Sequence, residues 1–173
     1  MEVYLIRHTT PDIRPGLIYG RLDVDLTDSF PEELERVKQQ LPLPVNAVYS
    51  SPSRRCTRLA KQLSPDFRVD DRLRELHFGD WEGKTWDTID PHDAQIWMDD
   101  FVNMPTPGGE SMVQMHERVT HFWNDLIQTA SQKVAVVTHG GVIRLLLATN
   151  RQLPLASAFD IKIAYGGVYV LTL

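Results

Sequence analysis

Short apolar runs alternate with amphipathic stretches along most of the chain. Apolar runs rich in β-forming residues predict five strands, at 2–6, 46–49, 67–69, 134–138 and 168–173. Apolar positions recurring at a helical period predict helices, at 31–41, 52–63, 91–101, 111–130 and 141–148. Because strands alternate with helices, we predict a single α/β domain over 1–173. Its architecture is a three-layer α/β/α sandwich with a mainly parallel central sheet and the last strand at an edge.

Local signals set the starts of three of these helices. Pro31 stands where the first helical turn tolerates proline. Ser51 is the predicted N-cap of the second helix. Ser111 and Gln114 have the spacing of a capping box, which makes the helix that follows the most clearly marked one.

Composition narrows the class of protein. Hydrophobic residues make up 42% and charged residues 24% of the 173 residues, which excludes wholesale disorder. The formal net charge of -5 argues against partners that need a basic surface, namely nucleic acid and anionic membranes. The first apolar run ends at Arg7, too early for a signal peptide or a membrane span, so we expect a cytoplasmic protein, either monomer or homodimer.

Metal and disulfide chemistry are not predicted. Cys56 is the single cysteine, so the chain forms no internal disulfide and no cysteine-rich zinc site. His116 and His121 are five residues apart, whereas a two-histidine zinc helix needs a spacing of four. We therefore expect no metal and no cofactor.

Candidate chemistry lies at the carboxyl ends of the predicted strands, where ligands bind in parallel sheets. Arg7 and His8 follow the first strand, and His139 with Gly140 follows the strand at 134–138. Each pair alone also fits a purely structural role, as a strand end or a packing turn. Arg55 begins the second helix on its core side, since it lies one turn before Leu59, whereas Arg54 shares a polar stripe with Arg58 and Lys61.

Converging arginines repel cations but suit a phosphoryl group, whose oxygens need positive donors during transfer. A neutral imidazole can attack phosphorus, and a carboxylic acid must then protonate the leaving oxygen. Glu75 is the candidate acid, although Asp80 and Glu82 are close by.

These segments together resemble the histidine phosphatase superfamily, also called the phosphoglycerate mutase-like family. The motifs that carry the resemblance occur in order over nearly the whole chain: LIRHTTP, SSPSRRCTRLA, RELHFGDWEG and VTHGGVIR. The resemblance implies His8 as the phosphorylated nucleophile, Glu75 as proton donor, and phosphate binding by Arg7, Arg55 and His139, which makes His139 a third catalytic residue. Gly140 is a further candidate for phosphate binding, because glycine lets backbone N–H groups approach an anion closely and the following helix points its positive end at the same place.

Within this superfamily, the stretches YGRLDVDL and PGGES are similar to those of the alpha-ribazole phosphatase branch. That similarity implies hydrolysis of alpha-ribazole 5'-phosphate in cobalamin nucleotide-loop assembly, with a small-molecule phosphate monoester as the ligand. Tyr19, Gly20 and Trp81 are candidate substrate-binding residues, although a packing role under a long loop is the more common one for a tryptophan such as Trp81. A broader sugar phosphatase, mutase-type phosphoryl transfer and a non-catalytic phospholigand module are the alternatives.

Overall fold

The computed structural model describes residues 1–173 and contains five strands and five α-helices. The strands are β1 (Glu2–Arg7), β2 (Ala47–Ser50), β3 (Arg68–Val69), β4 (Lys133–Thr138) and β5 (Val168–Thr172). The α-helices are α1 (Phe30–Gln39), α2 (Arg54–Leu63), α3 (Pro91–Asp99), α4 (Met112–Ile127) and α5 (Gly140–Asn150). All ten predicted elements are therefore present, and no end is shifted by more than three residues.

The strands form one sheet in the order β3-β2-β4-β1-β5. The first four strands in that order run parallel, and β5 lies antiparallel to β1 at the edge. Arg7 pairs with Thr138 across the central β1–β4 ladder. The residues that follow, His8 and His139, therefore leave the sheet side by side.

Alternating side chains on β1 divide the core into two layers. Val3 and Leu5 pack on one face of the sheet, in a cluster that contains the apolar faces of α4 and α5. Tyr4 and Ile6 pack on the other face, in a cluster that contains those of α1 and α2. Helices thus cover both faces of a mainly parallel sheet, and the predicted three-layer α/β/α sandwich is confirmed.

The predicted N-cap of α2 is wrong. The helix begins at Arg54 with Ser53 as its N-cap, and not after Ser51. The Ser51 hydroxyl instead lies 2.8 Å from Nε2 of His139, a residue 88 positions away. By contrast, the capping box at Ser111 and Gln114 is present at the start of α4.

The region between β3 and α4 is mostly irregular and has its own small core. Trp81 is only 3% exposed and packs with Ile18 and Ile89. Trp86 and Trp97 surround it, each with its ring centroid 5.8 Å from that of Trp81.

No α-helix of the chain is both long and apolar enough to cross a bilayer.

Candidate active site

Four cationic or imidazole side chains meet where β1, β4 and α2 come together. We call this group, Arg7, His8, Arg55 and His139, the phosphate cup. The two imidazole rings have centroids 5.4 Å apart in an edge-to-face arrangement. Arg55 and His139 are fully buried and His8 is 1% exposed, so these three side chains are shielded from bulk solvent, while Arg7 is half-buried.

His8 is held in one tautomer. Its Nδ1 lies 2.8 Å from the carbonyl oxygen of Thr9, which can only accept a hydrogen bond, so Nδ1 carries the proton. Burial, with the positive charges of Arg55 and Arg7, lowers the pKa of His8 to about 3. The imidazole is therefore neutral, and Nε2 keeps the lone pair that a nucleophile needs.

His139 is a second neutral imidazole. Burial and the nearby charge of Arg55 lower the pKa of His139 well below its ordinary value. Its Nε2 lies 2.8 Å from the Ser51 hydroxyl and 3.6 Å from the Cys56 sulfur. Burial raises the pKa of Cys56 to about 12, so the thiol is neutral and packs beside the ring without adding a charge.

Loop carbonyls fix both arginines of the cup. Arg55 donates one terminal NH group to the carbonyl oxygen of Gly20 at 2.6 Å and another to that of Leu22 at 3.0 Å. Arg7 donates to the carbonyl oxygen of Ile163 at 2.6 Å. Arg55 thus points inward, as the helical wheel predicts. Its neighbour Arg54, in contrast, is exposed and pairs with acidic residues of the loop before α1.

The two arginines of the cup form no ion pair within the chain. None of the ion pairs of the chain includes Arg7 or Arg55. The Nε–H groups of both are buried without a hydrogen-bond acceptor. Because an unpaired buried donor is costly, two such donors beside two neutral imidazoles define a site for an anion with several oxygens.

Glu75 reaches the same place from the irregular region. Its Oε2 accepts the backbone N–H of Gly141 at 3.1 Å, and its Oε1 accepts that of Leu76 at 2.9 Å. A Cβ on Gly141 would lie 2.1 Å from Oε1, so glycine is required for this close approach. The carboxyl group therefore sits at the start of α5, directly after His139.

The two other acidic candidates do not lie at the cup. Asp80 is exposed. Glu82 accepts the backbone N–H groups of Arg21, Leu22 and Phe78, so it holds the loop around residue 20 against the irregular region.

A cavity of about 170 Å³ opens beside Glu75, and we call it the leaving-group cavity. Most of its wall is apolar and comes from the irregular region, α4, α5 and the segment after α5. The lining residues are Arg7, Tyr19, Glu75, Leu76, Phe78, Met112, Met115, Gly141, Arg144, Leu145 and Phe159. Its position next to the carboxyl group suits the organic part of a phosphate ester.

Arg144 is the polar exception on this wall. Its Nε donates to the carbonyl oxygen of Ile161 at 2.9 Å, and no ion pair includes it. Partial burial lowers the pKa of Arg144, and the nearby Glu75 carboxyl group acts in the opposite direction. Arg144 ends the VTHGGVIR motif, but no sequence pattern predicts a functional role for it.

The predicted substrate-binding residues fall in three different places. Tyr19 lines the leaving-group cavity. Gly20 holds Arg55 through its carbonyl oxygen, and a Cβ there would lie 1.8 Å from the carbonyl oxygen of Leu76. Trp81 does not line the cavity but packs in the core under the loop, so the packing interpretation describes its position.

Tyr165 is a site residue for which the sequence offered no signal. Its ring lies over the Arg7 guanidinium, with Cζ 3.8 Å from the ring centroid, and 5.6 Å from the ring of His8. Its hydroxyl group is 2.8 Å from that of Tyr19. Only the fold brings this residue of the turn before β5 to the cup.

Residues 3–173 match the model of the histidine phosphatase superfamily (branch 1), and the chain belongs to that family. A glucosyl-3-phosphoglycerate phosphatase of Mycolicibacterium vanbaalenii is 32% identical, over 88% of this chain and 75% of the relative. The adenosylcobalamin/alpha-ribazole phosphatase of Salmonella typhimurium is 26% identical, over 96% of this chain and 87% of the relative.

Among solved structures, the alpha-ribazole phosphatase of Shigella flexneri superposes with a TM-score of 0.90 at 24% identity. The match covers 100% of this chain and 91% of that one. The likeness shows the shared fold. The family resemblance seen in the sequence is thus confirmed, and the chain is a phosphatase of this superfamily.

Proposed function

We propose that the chain hydrolyses phosphate monoesters through a phosphohistidine formed on His8. One observation carries the proposal: the buried Nε–H groups of Arg7 and Arg55 have no acceptor, and they lie beside a neutral His8 whose free lone pair is on Nε2. A phosphoryl group supplies the missing acceptors and the electrophile together.

The first step forms a bond between His8 Nε2 and phosphorus and breaks the bond to the leaving oxygen. Glu75, in its protonated form, gives its proton to that oxygen, and the alcohol departs. The three remaining oxygens are bound by Arg7, Arg55 and His139. The N–H groups at the start of α5 add the positive end of a helix dipole.

The second step hydrolyses the intermediate. Water forms a bond to phosphorus, its proton goes to the Glu75 carboxylate, and the bond to His8 breaks. Inorganic phosphate is released, and Nε2 of His8 regains its lone pair. Glu75 thus acts first as acid and then as base, which its place between the cup and the cavity supports.

For the leaving group, we propose alpha-ribazole 5'-phosphate as the first candidate substrate. The apolar wall built from Leu76, Phe78, Met112, Met115 and Leu145 suits an aromatic base. The Salmonella typhimurium relative is named for this activity.

Arg144 favours a second candidate, a phosphorylated carboxylic acid. Its guanidinium lines the cavity without forming an ion pair, although Glu75 lines the same cavity, so it can bind the carboxylate of a substrate. The Mycolicibacterium vanbaalenii relative is named for a phosphorylated glycerate. Turnover of alpha-ribazole 5'-phosphate, 3-phosphoglycerate and phosphoserine under matched conditions decides between the two candidates.

The reaction itself is tested with His8→Asn and p-nitrophenyl phosphate. Losing the nucleophile should lower kcat/KM by about 10⁴-fold or more. His121→Asn, an exposed histidine on α4, is the matched control and should keep full activity. The wild type should yield an acid-labile, base-stable phosphoprotein that the His8 variant lacks, and an active His8→Asn enzyme would refute the assignment.

A further inference from the structure

Two tyrosines from distant segments cover the phosphate cup, and we call them the tyrosine roof. The hydroxyl groups of Tyr19 and Tyr165 are 2.8 Å apart, although 146 positions separate the residues. Each ring lies over one arginine of the cup. Arg7 Cζ is 3.8 Å from the Tyr165 ring centroid, and Arg55 Cζ is 5.2 Å from that of Tyr19.

The roof separates the nucleophile from the cavity. The leaving-group cavity is lined by Arg7 and Tyr19 but by neither His8 nor His139. Its volume of about 170 Å³ is below the roughly 300–1,000 Å³ of typical ligand pockets. With His8 only 1% exposed, an ester can place its phosphorus at Nε2 only when the roof opens.

The roof is built to open without unfolding its supports. A single hydrogen bond between two hydroxyl groups joins its halves, at a solvent-exposed position. Tyr165 itself is 38% exposed, but its turn is tied to the cup, because the Gly166 N–H donates to the carbonyl oxygen of His8 at 3.2 Å. Opening therefore takes only a rotation of the tyrosine side chains, which leaves the arginines beneath tied to backbone carbonyls.

We propose that the tyrosine roof determines which acceptor receives the phosphoryl group. This inference rests on the proposed phosphohistidine. When the alcohol has left, the roof closes over the intermediate, leaving room for water but not for a second alcohol. Water then forms its bond to phosphorus as the bond to His8 breaks. An alcohol in the place of water would form a new phosphate ester instead, so a loosened roof turns a hydrolase towards transfer.

The test uses glycerol as a competing acceptor and p-nitrophenyl phosphate as donor. The measured quantity is the ratio of glycerol phosphate to inorganic phosphate, which does not depend on how much of the enzyme is folded. Tyr19→Phe and Tyr165→Phe should each raise this ratio several-fold. The double variant should raise it no further than either single variant, because both remove the same hydrogen bond.

Two further variants sharpen the test. Tyr4→Phe is the matched control, since its hydroxyl bonds Glu2 at the far end of β1, and its ratio should equal that of the wild type. Tyr165→Ala removes the ring over Arg7 as well, so it should raise the ratio most and also weaken inhibition by inorganic phosphate.

The outcomes separate this inference from the proposed function. An unchanged ratio in both phenylalanine variants, with phosphohistidine trapped in each, overturns the role of the roof and leaves the reaction standing. An additive double variant contradicts the shared hydrogen bond. Failure to trap phosphohistidine in the wild type overturns both proposals.

Discussion

The phosphate cup and the leaving-group cavity adjoin each other but are built differently. The cup stands on the ends of the central strands β1 and β4 and on the start of α2. His8, Arg55 and His139 are buried, and both arginines are tied to backbone carbonyls. The cavity is walled on one side by side chains of α4 and α5, and on the other by the irregular region before α4 and by Phe159, which is 45% exposed. The cup thus rests on regular hydrogen-bonded elements, whereas Glu75 and part of the cavity wall belong to segments outside them, where variation is tolerated more readily.

Glu75 stands between the two regions, and after His8 its removal should have the largest effect. Glu75→Gln should lower kcat for an alkyl phosphate by about 10²–10⁴-fold, because the leaving oxygen then receives no proton. The loss should be much smaller for p-nitrophenyl phosphate, since nitrophenolate departs without one. Asp80→Asn is the matched control on the exposed neighbour, and an equal loss for both esters would show that Glu75 is not the acid.

The burial of His8 in the cup makes the free energy of unfolding depend on pH in a defined direction. Because burial and two arginines lower the pKa of His8 from 6.5 to about 3, the folded chain keeps this imidazole neutral where the unfolded chain protonates it. Above pH 6.5 the imidazole is neutral in both the folded and the unfolded chain, and the free energy of unfolding does not depend on it. As the pH falls from 6.5 towards about 3, only the unfolded chain gains the proton, so the free energy of unfolding decreases. The slope from this one group is at most about 1.4 kcal/mol per pH unit.

Urea unfolding of wild type and His8→Asn between pH 7 and 4 measures this contribution. The free energy of unfolding should fall less steeply for the variant, because asparagine does not titrate. Parallel slopes would mean that His8 gains its proton as readily in the folded chain as in the unfolded one. His139 remains in both proteins, and its own lowered pKa adds a slope of the same sign to each.

The smallest effect is expected on the cavity side, at Arg144. If the substrate carries a carboxylate, Arg144→Met should raise KM for that acid by about 10–100-fold, the worth of one hydrogen bond to a charged group. The KM for p-nitrophenyl phosphate should change little. Arg151→Met, at the exposed end of α5, is the matched control. If Arg144→Met leaves the KM for every acid unchanged, alpha-ribazole 5'-phosphate is the better candidate.

Placement of the strand-end residues was predictable because it follows from topology. Parallel strands leave a sheet at one edge, so Arg7-His8 and His139-Gly140 had to meet there once β1 and β4 were neighbours. The inward direction of Arg55 followed from its position one turn before Leu59. Ser51 was misplaced for a related reason: serine before a helix is a good N-cap, but the imidazole that engages it comes from β4, which no local pattern reveals.

The sequence by itself determined the order of strands and helices, the three-layer architecture and the residues at the strand ends, because hydrophobic periodicity and capping are short-range properties of the chain. Tertiary structure alone decided the contact between Tyr19 and Tyr165, the packing of Trp81 and the unpaired charge of Arg144 beside Glu75. These features join segments with no common period, so only packing against the finished sheet brings them together.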